Sequence, residues 1–170
     1  MELSQLDEKF SDEEFAPVDL AGVAAEVAED LRSNAEKHGI TITVDTKTAV
    51  INGNRNQIYE LIYNLCDNAI RYNRENGSVK IITGDDNEHP FVKVADTGIG
   101  IAPEEQGKVF ERFYRVDKSR SKARGGTGLG LAIVKHAALY HHADIDLESE
   151  PGVGTTITVT FPIQPDEPFA

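Results

Sequence analysis

The sequence contains very little sulfur and few large aromatic side chains. Among its 170 residues there is one cysteine, one methionine and no tryptophan. A single cysteine excludes an intramolecular disulfide framework, so the fold must depend on a hydrophobic core, which a chain of this length can bury. No apolar run approaches the roughly 20 residues that cross a bilayer, and residues 1–10 do not read as a signal peptide. We therefore expect a soluble domain in a reducing, cytoplasmic environment, either alone or as part of a membrane-anchored protein.

Basic residues are scarce overall but concentrated in one segment. The chain has 17 lysines and arginines against 29 acidic residues, a net charge of -12. This balance disfavours nucleic acids and membrane surfaces as partners, because both attract basic faces. The exception is 108–124, where seven basic and two acidic residues give +5. Next to a glycine cluster, this segment is either a solvated loop or a binding device for an anionic ligand.

Hydrophobic periodicity predicts an α+β fold. Apolar residues at helical spacing predict long helices over 17–38, 55–72 and 127–140, with a short helix at 103–109. Alternating patterns predict strands over 40–44, 78–83, 91–95, 144–149 and 155–161, with 48–51 as a short partner of the first strand. Short polar connections predict two antiparallel hairpins in the second half of the chain. The expected architecture is a two-layer α/β sandwich, a mostly antiparallel mixed sheet covered on one face by three helices. Its expected limits are 17–163, with tails at 1–16 and 164–170.

The second long helix carries polar side chains at one-turn spacing. Asn64, Asn68 and Arg71 share one stripe, with Asp67 expected to point away from it. Asparagine is unfavourable inside helices, so the pair requires an explanation. Either the amides are exposed or locally hydrogen-bonded, or their oxygens bind Mg²⁺, which prefers hard oxygen ligands and keeps waters and phosphates in its shell.

Two glycine-rich segments point to a nucleotide. The cluster 125–130 leads into a helix, whose free N–H groups favour anions, yet it lacks the lysine of a P-loop and the strand of a dinucleotide fingerprint. Asp96 ends a predicted strand and is followed by Gly98 and Gly100. Its carboxylate either closes an Asx turn on its own backbone or accepts a hydrogen bond from the exocyclic amine of a purine such as adenine.

Taken in order, these segments resemble the conserved boxes of the sensor histidine kinases. The stretch 64–72 resembles the N box, 96–101 the first glycine box, 109–115 the phenylalanine box, 126–131 the second glycine box and 152–156 the last one. The resemblance runs from about 19 to 162, and phosphate-sensor-like and cell-wall-sensor-like kinases are the most similar subgroups. It implies the Bergerat ATP-binding fold shared with gyrase, Hsp90 and MutL, with ATP and Mg²⁺ as ligands.

The resemblance also implies roles for individual residues. Asp96 would bind the adenine amine, while Asn68 with Asn64 would organise Mg²⁺ on the phosphates. The segment 113–126 would be a mobile ATP lid, in which Arg115 would contact the γ-phosphate, and Asn64, Asn68 and Arg115 would be the catalytic residues. Phe110 and Phe113 would anchor the lid. The remaining nucleotide-binding residues implied are Arg71, Tyr72, Gly98, Ile99, Gly100, Ile101, Gly126, Thr127, Gly128, Leu129, Gly130, Leu131 and Thr156.

The phosphate acceptor is expected to lie outside this sequence. The family phosphorylates a histidine on a separate dimerisation hairpin, and none of the five histidines here has matching surroundings. His141 and His142 are expected to be a surface pair, and residues 1–10 resemble the end of the hairpin. The expected partners are ATP, the histidine-bearing dimerisation domain of the same kinase and a response regulator, and the domain alone should be monomeric.

Three rival functions share the nucleotide-binding features. Gyrase-like ATPases carry a glutamate base one turn before the Mg²⁺ asparagine, where this chain has Asn64, so hydrolysis should be slow. An anti-sigma-factor serine kinase would use the same fold, but the 110–115 stretch disfavours it. A non-catalytic nucleotide-binding module is disfavoured because the boxes are complete.

Overall fold

The computed structural model of the chain describes residues 15–106 and 130–164. In chain order its elements are β1 (Ala16–Asp19), α1 (Leu20–Lys37), β2 (Thr41–Thr46), β3 (Val50–Gly53), α2 (Arg55–Arg71), β4 (Ser78–Asp86), β5 (His89–Asp96), α3 (Pro103–Gln106), α4 (Gly130–Tyr140), β6 (Asp144–Glu150) and β7 (Gly154–Thr160). No helix in these two ranges is both long enough and apolar enough to cross a membrane.

Five strands form the main sheet in the order β2-β4-β5-β7-β6. Both predicted hairpins are confirmed, because β4 pairs with β5 and β6 pairs with β7 in antiparallel register. The pair β5 and β7 is also antiparallel, whereas β2 lies parallel to β4. A parallel pair needs a long crossover, and here α2 is part of it. The sheet is therefore mixed and mostly antiparallel, as the sequence predicted.

A second, two-stranded sheet corrects two predictions near the start of the domain. The sequence predicted a helix from residue 17, but Ala16–Asp19 is a strand that pairs antiparallel with β3. The helix begins only at Leu20, where the Asp19 carboxylate accepts hydrogen bonds from the N–H groups of Ala21 at 3.0 Å and Ala49 at 3.2 Å. β3 is thus the partner of β1, and the predicted pairing of 48–51 with the first strand of the main sheet was wrong.

Three helices pack together on one face of the main sheet. The middle helix, α2, contacts both α1 and α4. Ile58, Leu61, Ile62 and Leu65 of its apolar stripe are each at most 2% exposed. The core continues through the helix-facing side chains of β4, β5 and β7, such as Ile81, Val94 and Ile157. This arrangement is the predicted two-layer sandwich, and it places the end of α2, at Tyr72, against the turn that follows β5.

Candidate nucleotide-binding site

Asp96 lies at the end of β5 with one carboxylate oxygen fully engaged. Oδ1 accepts hydrogen bonds from the N–H groups of Gly98 at 2.8 Å and Thr155 at 3.2 Å. The Gly98 bond confirms the Asx-type turn. Within 15–106 and 130–164, the second oxygen, Oδ2, has no hydrogen-bond partner and remains able to accept from a ligand. Burial raises the pKa of Asp96 to about 6 despite the two N–H donors, so the group is mainly an ionised acceptor at neutral pH.

The glycines after Asp96 allow the turn to pack closely against the rest of the protein. A Cβ at Gly98 would lie 2.5 Å from the Tyr72 carbonyl oxygen at the end of α2. Gly100 has a φ of +74°, and a Cβ there would lie 2.2 Å from the Glu150 carbonyl oxygen. Between them, the Ile99 N–H donates to the Tyr72 carbonyl at 3.1 Å. Both glycines therefore allow the turn to approach α2 and β6 closely, which fixes the position of the turn.

Thr155 stands beside Asp96, although the sequence had pointed to Thr156. In the sheet register Asp96 is opposite Thr155, while Thr156 is opposite Ala95 and projects to the other face. The Thr155 side chain is 9% exposed, and its hydroxyl lies 2.7 Å from that of Ser149. Both threonines border a cleft of about 330 Å³, whose further lining residues are Asp96, Glu148, Ser149, Glu150, Val153 and Gly154.

The two stripe asparagines carry amide oxygens, a kind of ligand that a magnesium site can use. The Asn64 Nδ2 donates to the Glu60 carbonyl at 2.7 Å, which confirms local hydrogen bonding. The Asn64 Oδ1 faces Gly130, and a Cβ added at Gly130 would lie 3.5 Å from it. The Asn68 side chain is half-buried and has no hydrogen-bond partner in the described part of the chain. In that part no group of three or more His, Cys, Asp or Glu could hold a metal. The residues therefore fit a cation that takes most of its ligands from phosphates and water.

Arg71, the third residue of the stripe, is held by an acid from its own helix. Its Nε lies 2.8 Å from Asp67 Oδ2, and the two side chains are 27% and 17% exposed. Asp67 was expected to point away from the stripe, and this prediction was wrong. The i,i+4 spacing brings the two side chains together and orients the guanidinium along the helix. Tyr72 ends the helix and contributes its carbonyl group to the turn after Asp96.

Two further residues organise the site and were not predicted. Asn73 is completely buried, and its side chain donates to the Ser78 carbonyl at 2.9 Å and accepts from the Arg74 N–H at 2.8 Å. The Arg74 side chain donates to the carbonyls of Gly98 and Gly152. No sequence pattern indicated which distant carbonyls Arg74 would reach.

Part of the predicted site lies outside the described residues. This holds for Arg115, Gly126, Thr127, Gly128 and Leu129, and for the lid anchors Phe110 and Phe113. Two members of the second glycine box are described. Gly130 begins α4, and Leu131, 9% exposed, packs in the core beside it.

His141 is buried, so the expected surface pair of histidines was wrong. It is 5% exposed, whereas His142 is exposed. Its Nδ1 lies 2.8 Å from the Ala137 carbonyl, and its Nε2 accepts from the Asn54 N–H at 3.0 Å. This pattern requires a neutral ring protonated on Nδ1, and burial lowers the pKa of His141 accordingly. The ring therefore fixes the start of α2 from the end of α4 and has no free nitrogen for a metal.

Comparisons with known proteins agree with this geometry. Residues 53–165 match the family described as histidine kinase-, DNA gyrase B-, and HSP90-like ATPases. The chain is 43% identical over 150 residues to the sensor-like histidine kinase SenX3 of Mycolicibacterium smegmatis, covering 88% of this chain and 39% of that protein. It is 37% identical over 146 residues to the phosphate regulon sensor protein PhoR of Pseudomonas aeruginosa, covering 85% and 33%. The chain thus spans less than two fifths of both relatives.

Solved structures of the same kind superimpose well. The mycobacterial sensor histidine kinase MprB gives a TM-score of 0.77 at 28% identity, covering 88% of this chain and 99% of that one. The catalytic domain of histidine kinase ThkA gives 0.75 at 26% identity, covering 91% and 100%. Sequence and fold therefore agree, and the chain belongs to the histidine kinase-, DNA gyrase B-, and HSP90-like ATPase family as the catalytic ATP-binding domain of a two-component sensor histidine kinase.

Proposed function

We propose that this domain transfers the γ-phosphoryl group of ATP to an imidazole nitrogen on a separate dimerisation domain of the same kinase. The P–O bond to the β-phosphate breaks, a P–N bond forms, ADP leaves and the imidazole proton passes to solvent. The phosphorylated histidine then serves a response regulator. The observation that carries the proposal is the side-chain amide of Asn64, whose Nδ2 donates a hydrogen bond to the Glu60 carbonyl. An amide cannot take a proton from water at neutral pH, so the γ-phosphoryl group is preserved for another nucleophile.

Adenine recognition rests on Asp96. Its Oδ1 is occupied by two backbone N–H groups, which orient the carboxylate and leave Oδ2 for the N6 amine of the base. A guanine would present a carbonyl oxygen at the same place and repel the ionised carboxylate. Gly98, Ile99, Gly100 and Ile101 hold the turn in position, and Thr155 borders the same site with Thr156 at the rim of the cleft.

The phosphates lie along the asparagine stripe in this proposal. Asn68, with Asn64, would hold Mg²⁺ through amide oxygens, and the ion would neutralise charge on the phosphate oxygens. Arg71 and Tyr72 would flank the nucleotide, with Asp67 orienting the Arg71 guanidinium. Arg115 and the 126–131 segment would complete the phosphate site. The chain's own contribution is then positioning and charge neutralisation, and the attacking nitrogen comes from the partner domain.

The domain is proposed to extend over 17–163. This is supported by a single hydrophobic core that runs from Val18 to Phe161. Since the relatives are named as sensor kinases, we also propose that the domain works on the cytoplasmic side of a membrane-anchored receptor.

The test is a phosphotransfer assay with γ-labelled ATP, Mg²⁺ and the separately produced histidine-bearing hairpin of the same kinase. We expect acid-labile, base-stable label on the hairpin and none on a hairpin whose histidine is replaced. Asn68→Ala should abolish the label, whereas Asn34→Ala, a change on α1 away from the stripe, should leave it unchanged. ATP binding without transfer would disprove kinase activity, and rapid phosphate release without an acceptor would favour an ATPase.

A further inference from the structure

Arg74 joins two turns that are far apart in the sequence. The residue follows α2, is exposed, and donates through Nη2 to the Gly98 carbonyl at 2.9 Å and to the Gly152 carbonyl at 2.5 Å. Gly98 belongs to the turn after β5, and Gly152 to the turn between β6 and β7. A charged donor shared by two carbonyls is stronger than a neutral hydrogen bond, and it fixes the distance between them.

One of the N–H groups that hold Asp96 lies in the first turn, and the other lies in the strand just after the second turn. Gly98 donates to Oδ1 from the first turn, and Thr155 donates from the strand that follows the second. One backbone hydrogen bond, from the Gly152 N–H to the Ile99 carbonyl at 2.8 Å, also links the turns. Gly152 has a φ of +80° and open space where a Cβ would be. In the described part of the chain Arg74 is thus one of the side chains that link the two segments, together with Ser149, whose hydroxyl accepts from the Ile101 N–H and lies 2.7 Å from the Thr155 hydroxyl.

We propose that Arg74 is a positioning residue for base recognition. By clamping the Gly98 and Gly152 carbonyls, it holds the Gly98 and Thr155 N–H groups on one oxygen of Asp96 and thereby aims the other oxygen at the base. The proposal deepens the function given above and rests on the role of Asp96 in binding adenine. It differs from a direct phosphate contact, since the Nη2 of Arg74 is already bonded to two carbonyls.

Ligand length separates the clamp from a phosphate contact. If Arg74 acts through Asp96, Arg74→Ala should lower the affinities for adenosine, ADP and ATP by the same factor. The expected factor is about five- to tenfold, the size expected for one partly exposed charge-assisted interaction. If Arg74 instead contacted phosphate, Arg74→Ala would lower the affinities for ATP and ADP and leave the affinity for adenosine unchanged. Isothermal titration calorimetry measures all three affinities. Arg55→Ala is the matched control, because Arg55 lies at the other end of α2 in an exposed ion pair with Glu26 at 2.5 Å.

Amide hydrogen exchange in the free protein provides a readout that needs no nucleotide. Loss of the clamp should accelerate exchange at Gly98 and Thr155 by about tenfold, while Val94, in the middle of β5, should keep its rate. A general loss of stability would accelerate all three amides together. Arg74→Lys keeps the charge without the guanidinium fork, so its exchange rates and affinities should lie between those of wild type and Arg74→Ala. If Arg74→Ala does not fold, Arg74→Lys takes its place in both measurements.

The outcomes distinguish this proposal from the proposed function. Unchanged exchange and unchanged affinities in Arg74→Ala would overturn the clamp alone, as would a loss confined to ADP and ATP. A wild-type domain that binds no adenine compound would overturn the proposed function and the role of Arg74 in base recognition with it. Faster exchange at Gly98 and Thr155 together with equal weakening of all three ligands is the expected result.

Discussion

Replacing Asp96 by asparagine should make the domain more stable while it loses its preference for adenine. Burial raises the pKa of Asp96 from 3.8 to about 6. Between about pH 3.8 and pH 6, Asp96 binds more protons in the folded state than in the unfolded state. Asp96 therefore makes the free energy of unfolding fall as pH rises through this range, and its full destabilising effect is present above pH 6. At about 1.4 kcal/mol per pKa unit, ionised Asp96 costs the folded state about 3 kcal/mol.

Asparagine can keep the favourable contacts of Asp96 without its charge. Its Oδ1 can accept from the Gly98 and Thr155 N–H groups, and its NH₂ replaces an oxygen that has no partner in the described ranges. We expect Asp96→Asn to raise the free energy of unfolding by about 2–3 kcal/mol near pH 8 and to change it little near pH 4. In a domain of this size the gain near pH 8 corresponds to about 5–10 °C in melting temperature.

Urea denaturation of both proteins near pH 4 and pH 8 measures this difference. Glu148→Gln is the control, because it removes an exposed carboxylate that borders the same cleft and should change stability by less than about 0.5 kcal/mol. Other titrating groups, including His141, are common to both proteins and cancel in the comparison. An Asp96→Asn variant that is less stable than wild type near pH 8, or equally affected at both pH values, would refute the reasoning.

The same substitution should change base preference. Asparagine would present an NH₂ group to the N6 amine of adenine, two donors that cannot pair, but could donate to the O6 of guanine. We expect ATP affinity to fall by at least about tenfold and the preference for ATP over GTP to disappear. Calorimetric titration with both nucleotides measures this, and an unchanged ATP affinity would exclude Asp96 as the base-recognition residue.

Three further substitutions test other parts of the site. His141→Phe removes the ring nitrogen that accepts from the Asn54 N–H and should cost about 1–3 kcal/mol near pH 8 in urea denaturation. Because burial lowers the pKa of His141, its contribution to stability is lost as pH falls below about 6.5, so the difference between wild type and variant should shrink there. Gly100→Ala should lower the free energy of unfolding by several kcal/mol, because its Cβ would meet the Glu150 carbonyl. Gly152→Ala has a similar φ but open space around the new Cβ, so it should cost only about 1–2 kcal/mol. Equal losses of stability in the two variants would contradict the packing explanation. Asn64→Glu places a base one turn before Asn68 and should raise acceptor-independent phosphate release by at least about tenfold, measured by a phosphate-release assay; no increase would show that position 64 does not limit hydrolysis.

Most of the fold followed from periodicity, and the errors have physical reasons. The apolar stripe of α2 and the alternation in β4 to β7 identify these elements because each buries one face. β1 has only four residues, including Pro17, and its alternation is too short to distinguish it from the first turn of α1. Alternation also does not specify which strands pair, which is why β3 was assigned to the wrong partner and why the parallel pairing of β2 with β4 was not predicted.

The sequence pointed to candidate site residues where the chemistry is local and not where it depends on distant contacts. Asp96 was identified because its turn is built from neighbouring residues, and Asn64 and Asn68 because helical spacing aligns them. Arg74 gave no signal, since its two carbonyl partners lie 24 and 78 residues away. Thr155 and Thr156 are adjacent in sequence, and only the register against β5 determines which of them lies beside Asp96.

The fixation of α2 at both ends has a consequence for how the nucleotide is bound. Isolated helices fray at their ends, yet the first turn of α2 is held by His141 through Asn54, and the Tyr72 carbonyl at its other end is bonded to Ile99. The asparagine stripe therefore lies on a helix that is held at both ends, between the end of α4 and the turn that follows Asp96. If Asn64 and Asn68 bind as proposed, much of the entropy cost of ordering their side chains is incurred when the protein folds, so less entropy is lost when ATP binds.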